Sequence, residues 1–261
     1  MTVFLSDGLE IAYRVDGQEN APPLVLINSL GTNLHMWDAQ AELLSRTLRI
    51  IRFDNRGHGA SEVPTGACTI EQYGGDLLAL LDMLGIERAH ICGLSLGGVI
   101  AQWCAIHHPE RVIGATFANT AARVGSEQIW DARVEAVQTG GIASVREAVL
   151  ARFLSENYRQ DHPEETQRIG EMLMCTSPAG YIAACLALRS EDLRTQIRGI
   201  HVPTLIIAGE LDESTPPAQA QELHAAIHGS KLIIFPAVAH LSNVERPEEF
   251  SAYVLEHVNQ A

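Results

Sequence analysis

The chain has 261 residues, 46% of them hydrophobic and 19% charged, which supports one large α/β core with at most a modest insertion and argues against disorder. Its net charge of −14 argues against nucleic acid or an anionic membrane as the partner, so any anionic substrate must be held by a local cation. Nearly all of the positive charge is arginine, the only lysine being Lys231, and arginine suits planar carboxylates.

The first strands, within Thr2 to Val15, alternate in hydropathy and predict an antiparallel edge. The same segment has no basic stretch followed by a long apolar run, and no part of the sequence reaches the roughly eighteen apolar residues that span a bilayer. The cytoplasm is therefore the expected compartment. Short apolar runs follow at Pro23 to Asn28, Arg49 to Asp54, Ala89 to Gly93, Val112 to Asn119, Pro203 to Gly209 and Lys231 to Pro236. Runs such as LVLIN, IIRFD, HICGL, TLIIAG and LIIF are apolar on both faces, as parallel strands covered by helices must be. Between them, Ile70 to Leu84 and Ala218 to Ile227 show apolar residues at helical spacing. Alternation of β and α predicts a doubly wound, mostly parallel sheet with helices on both faces.

One stretch breaks the rhythm. From Ala121 to Arg198 the pattern is helical, with repeated arginines and with Val134, Val137, Val149, Phe153 and Leu154 at helical spacing. This is too long for a simple crossover. It predicts a helical cap at 121–198, inserted into a core of 1–120 and 199–261, lying over the sheet edge where clefts open. Cysteines at 68, 92, 104, 175 and 185 are odd in number and form no C-x-x-C pair, so neither a disulfide framework nor a zinc site is expected.

The strongest chemical signal is Gly93-Leu94-Ser95-Leu96-Gly97, after the strand AHIC and before the helical VIAQWCAIHH. A serine between glycines at a strand-to-helix turn is a nucleophile elbow, and the helix N-terminus beneath it favours a developing anion. Serine needs a base, and the base needs an orienting group. In this chain order the acid follows the serine and the histidine comes last. Asp212 follows the strand TLIIAG and His240 follows KLIIF, both on the sheet edge that carries Ser95. Asp212 competes with Glu210, which is closer to its strand, and with Glu213. The other helical or helix-end histidines, such as His107, His108, His224 and His257, read as surface. The oxyanion hole is expected from the amides of Leu96, directly after the serine, and Leu30, in the loop after an early strand.

The pieces NSLG, Asp54 to Ser61, GLSLGG, GELD and AHLSNVERPEEF resemble the α/β-hydrolase superfamily along nearly the full length. The Asp54 to Ser61 segment reads as structural, so His58 is not taken as catalytic. NSLGTNLHMWD, FDNRGHGAS, CGLSLGG and the cap opening Trp130-Asp131-Ala132-Arg133-Val134 most resemble the 3-oxoadipate enol-lactonases of aromatic-compound catabolism. That resemblance implies an eight-stranded α/β-hydrolase fold, an acyl-enzyme route with Ser95, His240 and Asp212 as triad, no metal and no organic cofactor, and a small anionic lactone as substrate. Arg133 is then expected to bind its carboxylate and Trp130, three residues earlier on the same helix face, to pack on its ring. Arg123, Arg146 and Arg152 are the alternatives to Arg133. Two other readings share the motifs: a generic carboxylesterase or perhydrolase, and a non-catalytic ligand-binding member of the fold. The oligomeric state is left open.

Overall fold

The computed structural model describes residues 2–261. Eight strands form a single sheet: β1 (Thr2–Ser6), β2 (Leu9–Asp16), β3 (Pro23–Ile27), β4 (Arg49–Phe53), β5 (Ala89–Leu94), β6 (Val112–Ala118), β7 (Thr204–Gly209) and β8 (Lys231–Phe235). Their spatial order is β1-β2-β4-β3-β5-β6-β7-β8. β1 and β2 pair antiparallel, and β2 pairs antiparallel with β4, as the alternation at the N-terminal end predicts. Every other pairing is parallel.

Eleven α-helices connect the strands among the described residues. Within the sheet's own connections they are α1 (Asp38–Leu44), α2 (Ile70–Met83) and α3 (Leu96–His107). Between β6 and β7 come five helices and no strand: α4 (Glu127–Gly140), α5 (Arg146–Phe153), α6 (Glu156–Asp161), α7 (Pro163–Met174) and α8 (Pro178–Ser190). The last three are α9 (Pro217–Ala226), α10 (Ser242–Glu245) and α11 (Pro247–Gln260). No single described helix is long and apolar enough to cross a membrane.

Local sequence sets these boundaries. Thr69 closes a reciprocal capping box with Gln72 at the start of α2. Ser126 and Ser177 cap α4 and α8, the latter followed by Pro178 in the first turn, where a missing N–H costs nothing. The central strand β5 is buried at all six residues, which its uninterrupted apolar run anticipates. β8 departs from that expectation. Its run LIIF reads as buried on both faces, yet Lys231 and Ile234 are exposed, because β8 is the sheet's outer edge and has a neighbour on one side only.

His257 also departs from expectation. It is buried on α11, within reach of Gly114 and close to His90 on β5. A helical position near the chain's end says nothing about which face turns inward. His58 and His90 are buried too, and burial pushes both imidazoles down to about 4. Their native forms are therefore neutral, while the unfolded chain takes up protons near the ordinary value of about 6.5. The stability this contributes is complete above that pH. It falls between about 6.5 and about 4, where the unfolded state binds more protons, and levels below. We expect the unfolding free energy from urea titration to drop from pH 7.5 to pH 4.5, by up to about 3 kcal/mol for His58, and to drop less in His58→Gln. An equal drop in the variant would exclude His58 as a source.

Candidate active site

Ser95 stands between β5 and α3 with φ +58° and ψ −115°, a left-handed conformation that side chains rarely adopt. Two glycines make the turn possible. A Cβ on Gly93 would lie 2.0 Å from the Gly97 carbonyl oxygen, and one on Gly97 would lie 2.1 Å from that of Ile27. Backbone packs directly on backbone here, so α3 seats its first turn against β3. The Ser95 amide donates to the Ala118 carbonyl at 3.0 Å, and Thr120 Oγ1 donates to the Ser95 carbonyl at 2.9 Å. These contacts from the end of β6 hold the strained residue from both sides.

His240 Nδ1 lies 2.8 Å from Asp212 Oδ2, with both side chains buried. The Asp212 carboxylate accepts four further hydrogen bonds. Oδ1 takes the Ser214 and Thr215 amides at 2.8 and 3.0 Å, and Oδ2 takes Thr215 Oγ1 and Asn119 Nδ2 at 2.8 and 3.0 Å. Burial alone would raise this carboxyl, but the neighbouring His240 and the hydrogen bonds outweigh it and hold it below the usual carboxylate range. Neither competing acid contacts His240. Glu210 accepts from the Ala237 amide, and Glu213 is exposed at the cavity wall.

The support for His240 reaches beyond Asp212. Asn119, itself at φ +45°, donates to the Ala239 carbonyl at 3.2 Å and accepts from Ser242 Oγ at 2.5 Å. Glu245 accepts from the Ala239 amide at 2.9 Å, from the Ser155 amide at 3.1 Å and from Ser155 Oγ at 2.5 Å. The Leu241 amide donates to the Phe153 carbonyl at 2.8 Å, and the Phe153 ring stacks on the imidazole with centroids 5.7 Å apart. The histidine loop is thus bolted to the α5–α6 junction of the helical segment. Sequence reading names none of Asn119, Ser242 or Glu245 as supports. Their polar side chains, buried and close to predicted strand ends, are the signal, but their partners lie up to 123 residues away.

Leu30 and Leu96 flank the serine. Leu96 is the first residue of α3, so its amide has no acceptor within the helix. Leu30 sits in the β3–α1 loop and lines the same cavity as Ser95. Neither amide donates to another backbone group among the described residues. The loop around Leu30 is fixed by Asn28 Nδ2 donating to the Phe53 carbonyl at 2.7 Å and Asn55 Nδ2 donating to the Asn28 carbonyl at 3.1 Å. Asp54 accepts from the Leu34 and Ala60 amides, and Arg56 pairs with buried Asp76 through two hydrogen bonds of 2.8 and 2.7 Å. The Asp54 to Ser61 segment is structural in this sense, and His58 does not line the cavity.

The cavity measures about 220 Å³. That is below the ~300–1,000 Å³ that house drug-sized ligands. Ser29, Leu30, Ser95 and His240 form its floor, and Trp130, Arg133, Arg152, Phe153 and Tyr181 reach it from the helical segment. Trp130 Nε1 donates to the Val124 carbonyl at 2.7 Å, which fixes the indole, and the Arg133 guanidinium lies 5.3 Å from the centre of its ring. Of the alternatives to Arg133, Arg123 and Arg146 are committed to carboxylates and do not line this cavity. Arg152 does line it.

The model of the alpha/beta hydrolase fold family matches residues 22–247. The chain belongs to the alpha/beta hydrolase family. This alpha/beta hydrolase is 41% identical to 3-oxoadipate enol-lactonase 2 of Acinetobacter baylyi over 92% of its own length and 89% of the relative's. It is 37% identical to 3-oxoadipate enol-lactonase 1 of the same organism, over 93% and 91% of the two chains. Among solved structures it superposes on the enol-lactonase from Burkholderia xenovorans LB400 with a TM-score of 0.97 at 40% identity, covering 99% and 100% of the two chains.

Proposed function

We propose that this enzyme hydrolyses 3-oxoadipate enol-lactone to 3-oxoadipate, a step of aromatic-compound catabolism, through an acyl-enzyme on Ser95. The observation that carries the reading is the meeting, in one small cavity, of a serine held at an elbow, an Asp212–His240 pair and arginines free to take a carboxylate. Ser95 Oγ attacks the lactone carbonyl while His240 Nε2 takes its proton, and Asp212 keeps the Nδ1 proton in place and steadies the imidazolium. The amides of Leu30 and Leu96 receive the developing oxyanion. The ring oxygen leaves as an enol, protonated by His240, and becomes a ketone. His240 then activates water, which releases the acid and restores Ser95. The helical segment 121–198 acts as the cap that closes the cavity and supplies its substrate-binding side chains.

Support for the lactone comes from the similarity to enol-lactonases and from the cavity's charge. A neutral ester gains nothing from Arg133, whereas the carboxymethyl group of the lactone gains a charge-assisted hydrogen bond. We expect Arg133→Ala to raise KM for the lactone at least tenfold, on the order of 1.4 kcal/mol. Turnover of p-nitrophenyl acetate serves as the neutral reference. An unchanged KM would remove Arg133 from the assignment. The reading as a whole is tested by ultraviolet loss of the purified lactone, wild type beside Ser95→Ala. Turnover of the acetate without turnover of the lactone would make the protein an ester hydrolase of other substrate.

A further inference from the structure

Burying a cation without a partner is costly, and proteins normally pair it. The helical segment follows that rule in most of its arginines. Arg123, Arg146, Arg168, Arg189 and Arg194 each lie within 4.0 Å of a carboxylate. Arg133 and Arg152 are half-buried, and among the described residues neither forms an ion pair, Arg133 having only the Tyr181 hydroxyl as a hydrogen-bonding neighbour. Both line the cavity that holds Ser95 and His240. They arrive from different helices, Arg133 from α4 and Arg152 from the last turn of α5. Tyr181, buried on α8, feels both guanidiniums, although burial prevails and pushes its phenol up to about 12. Tyr181 thus lines the same cavity as the two cations with its hydroxyl neutral. The one acidic side chain in the lining, Glu213, is exposed and reaches neither arginine within 4.0 Å.

Arg152 is also fixed relative to the chemistry. Its neighbour Phe153 stacks on His240 and accepts from the Leu241 amide, and Ser155 is bound to Glu245 behind the histidine loop. These contacts hold the backbone at Arg152 beside the histidine loop, and its side chain lines the cavity of the base.

We propose that Arg152 is a second specificity-determining residue, which completes with Arg133 and the Tyr181 hydroxyl a two-cation cradle for small carboxylates and dicarboxylates. It rests on the reading of this cavity as the hydrolytic site. The cradle explains how a chain of net charge −14 draws an anion to Ser95. It also implies that a hydrolysis product carrying a second carboxylate is retained and competes with substrate.

The test is calorimetric binding of adipate and of dimethyl adipate to Ser95→Ala protein, in which turnover cannot occur. Adipate is expected to bind and the neutral diester to bind at least tenfold more weakly. Adding Arg152→Gln should weaken adipate at least tenfold and leave the diester within about twofold, while Arg152→Lys recovers part of the loss. Arg133→Gln and Arg152→Gln together should cost less than the product of their separate effects, since the two share a ligand. Adipate affinity unchanged in Arg152→Gln, or no discrimination between adipate and diester, would overturn the proposal. Thermal melts accompany each variant, and a folded Arg152→Lys protein with no recovery counts against the cradle. Failure of the two readings is separable. If adipate binding depends on Arg152 but wild type leaves the enol-lactone intact, the cradle stands and the lactone assignment falls. If the lactone is turned over and Arg152→Gln alters neither binding nor KM, the reverse holds.

Discussion

Ser95→Ala is expected to lower kcat on the enol-lactone by roughly a million-fold, with the fold intact. Oγ is the only atom lost, and it is the atom that would form the acyl bond. The elbow itself survives, because its conformation is imposed from outside the residue. The Ala118 carbonyl holds the amide, Thr120 holds the carbonyl, and Gly93 and Gly97 leave room for the turn. Alanine at φ +58° carries a Cβ as serine does, so the backbone strain hardly changes. The amides of Leu30 and Leu96 stay in place, so a residual acceleration over water persists, on the order of 10³- to 10⁴-fold. Ultraviolet loss of lactone at high enzyme concentration measures the remaining rate, and a melting curve checks the fold. Activity above about one per cent of wild type would mean that Ser95 is not the nucleophile.

Much of this site can be read before any coordinates, because its parts are local. A buried run followed by G-x-S-x-G and a helical pattern specifies strand, elbow and helix within one continuous stretch, Ala89 to His107. His240 and Asp212 are found by chain order after two strands, and the structure puts His240 Nδ1 within 2.8 Å of Asp212 Oδ2. What sequence leaves unread is tertiary. Helical spacing puts Trp130 and Arg133 on one face, and they do stack, but no spacing within α4 reveals that Arg152 of α5 enters the same cavity. Asn119 and Glu245 look like ordinary loop and helix polar residues until their partners at Ala239, Ser242 and Ser155 are seen. The exposed face of β8 and the buried His257 fail for the same reason: local pattern gives an element's type and not its neighbours.

Asp212→Asn tests the orienting role, and the hydrogen bonds say how it should fail. The carboxylate has two accepting oxygens, and both are in use. Oδ1 faces the Ser214 and Thr215 amides, which cannot turn away, while Oδ2 faces Asn119 Nδ2, Thr215 Oγ1 and His240 Nδ1. Asparagine keeps one accepting oxygen. The two backbone amides claim it, so the new NH₂ group points at His240. Nδ1 must then accept, which moves the imidazole proton to Nε2 and leaves no lone pair for the Ser95 proton. Asn119 cannot relieve the clash by flipping, since its own amide group is committed to the Ala239 carbonyl and its oxygen to Ser242. The expected result is a fall in kcat of roughly 10⁴-fold with little change in KM, the consequence of the wrong tautomer. A modest loss of stability, about 1–3 kcal/mol, should accompany it as a buried donor goes unmatched. Steady-state kinetics on the lactone and urea unfolding separate the two effects. If kcat fell less than tenfold, the Asp212–His240 contact would be a packing feature and another group would have to set the histidine's tautomer.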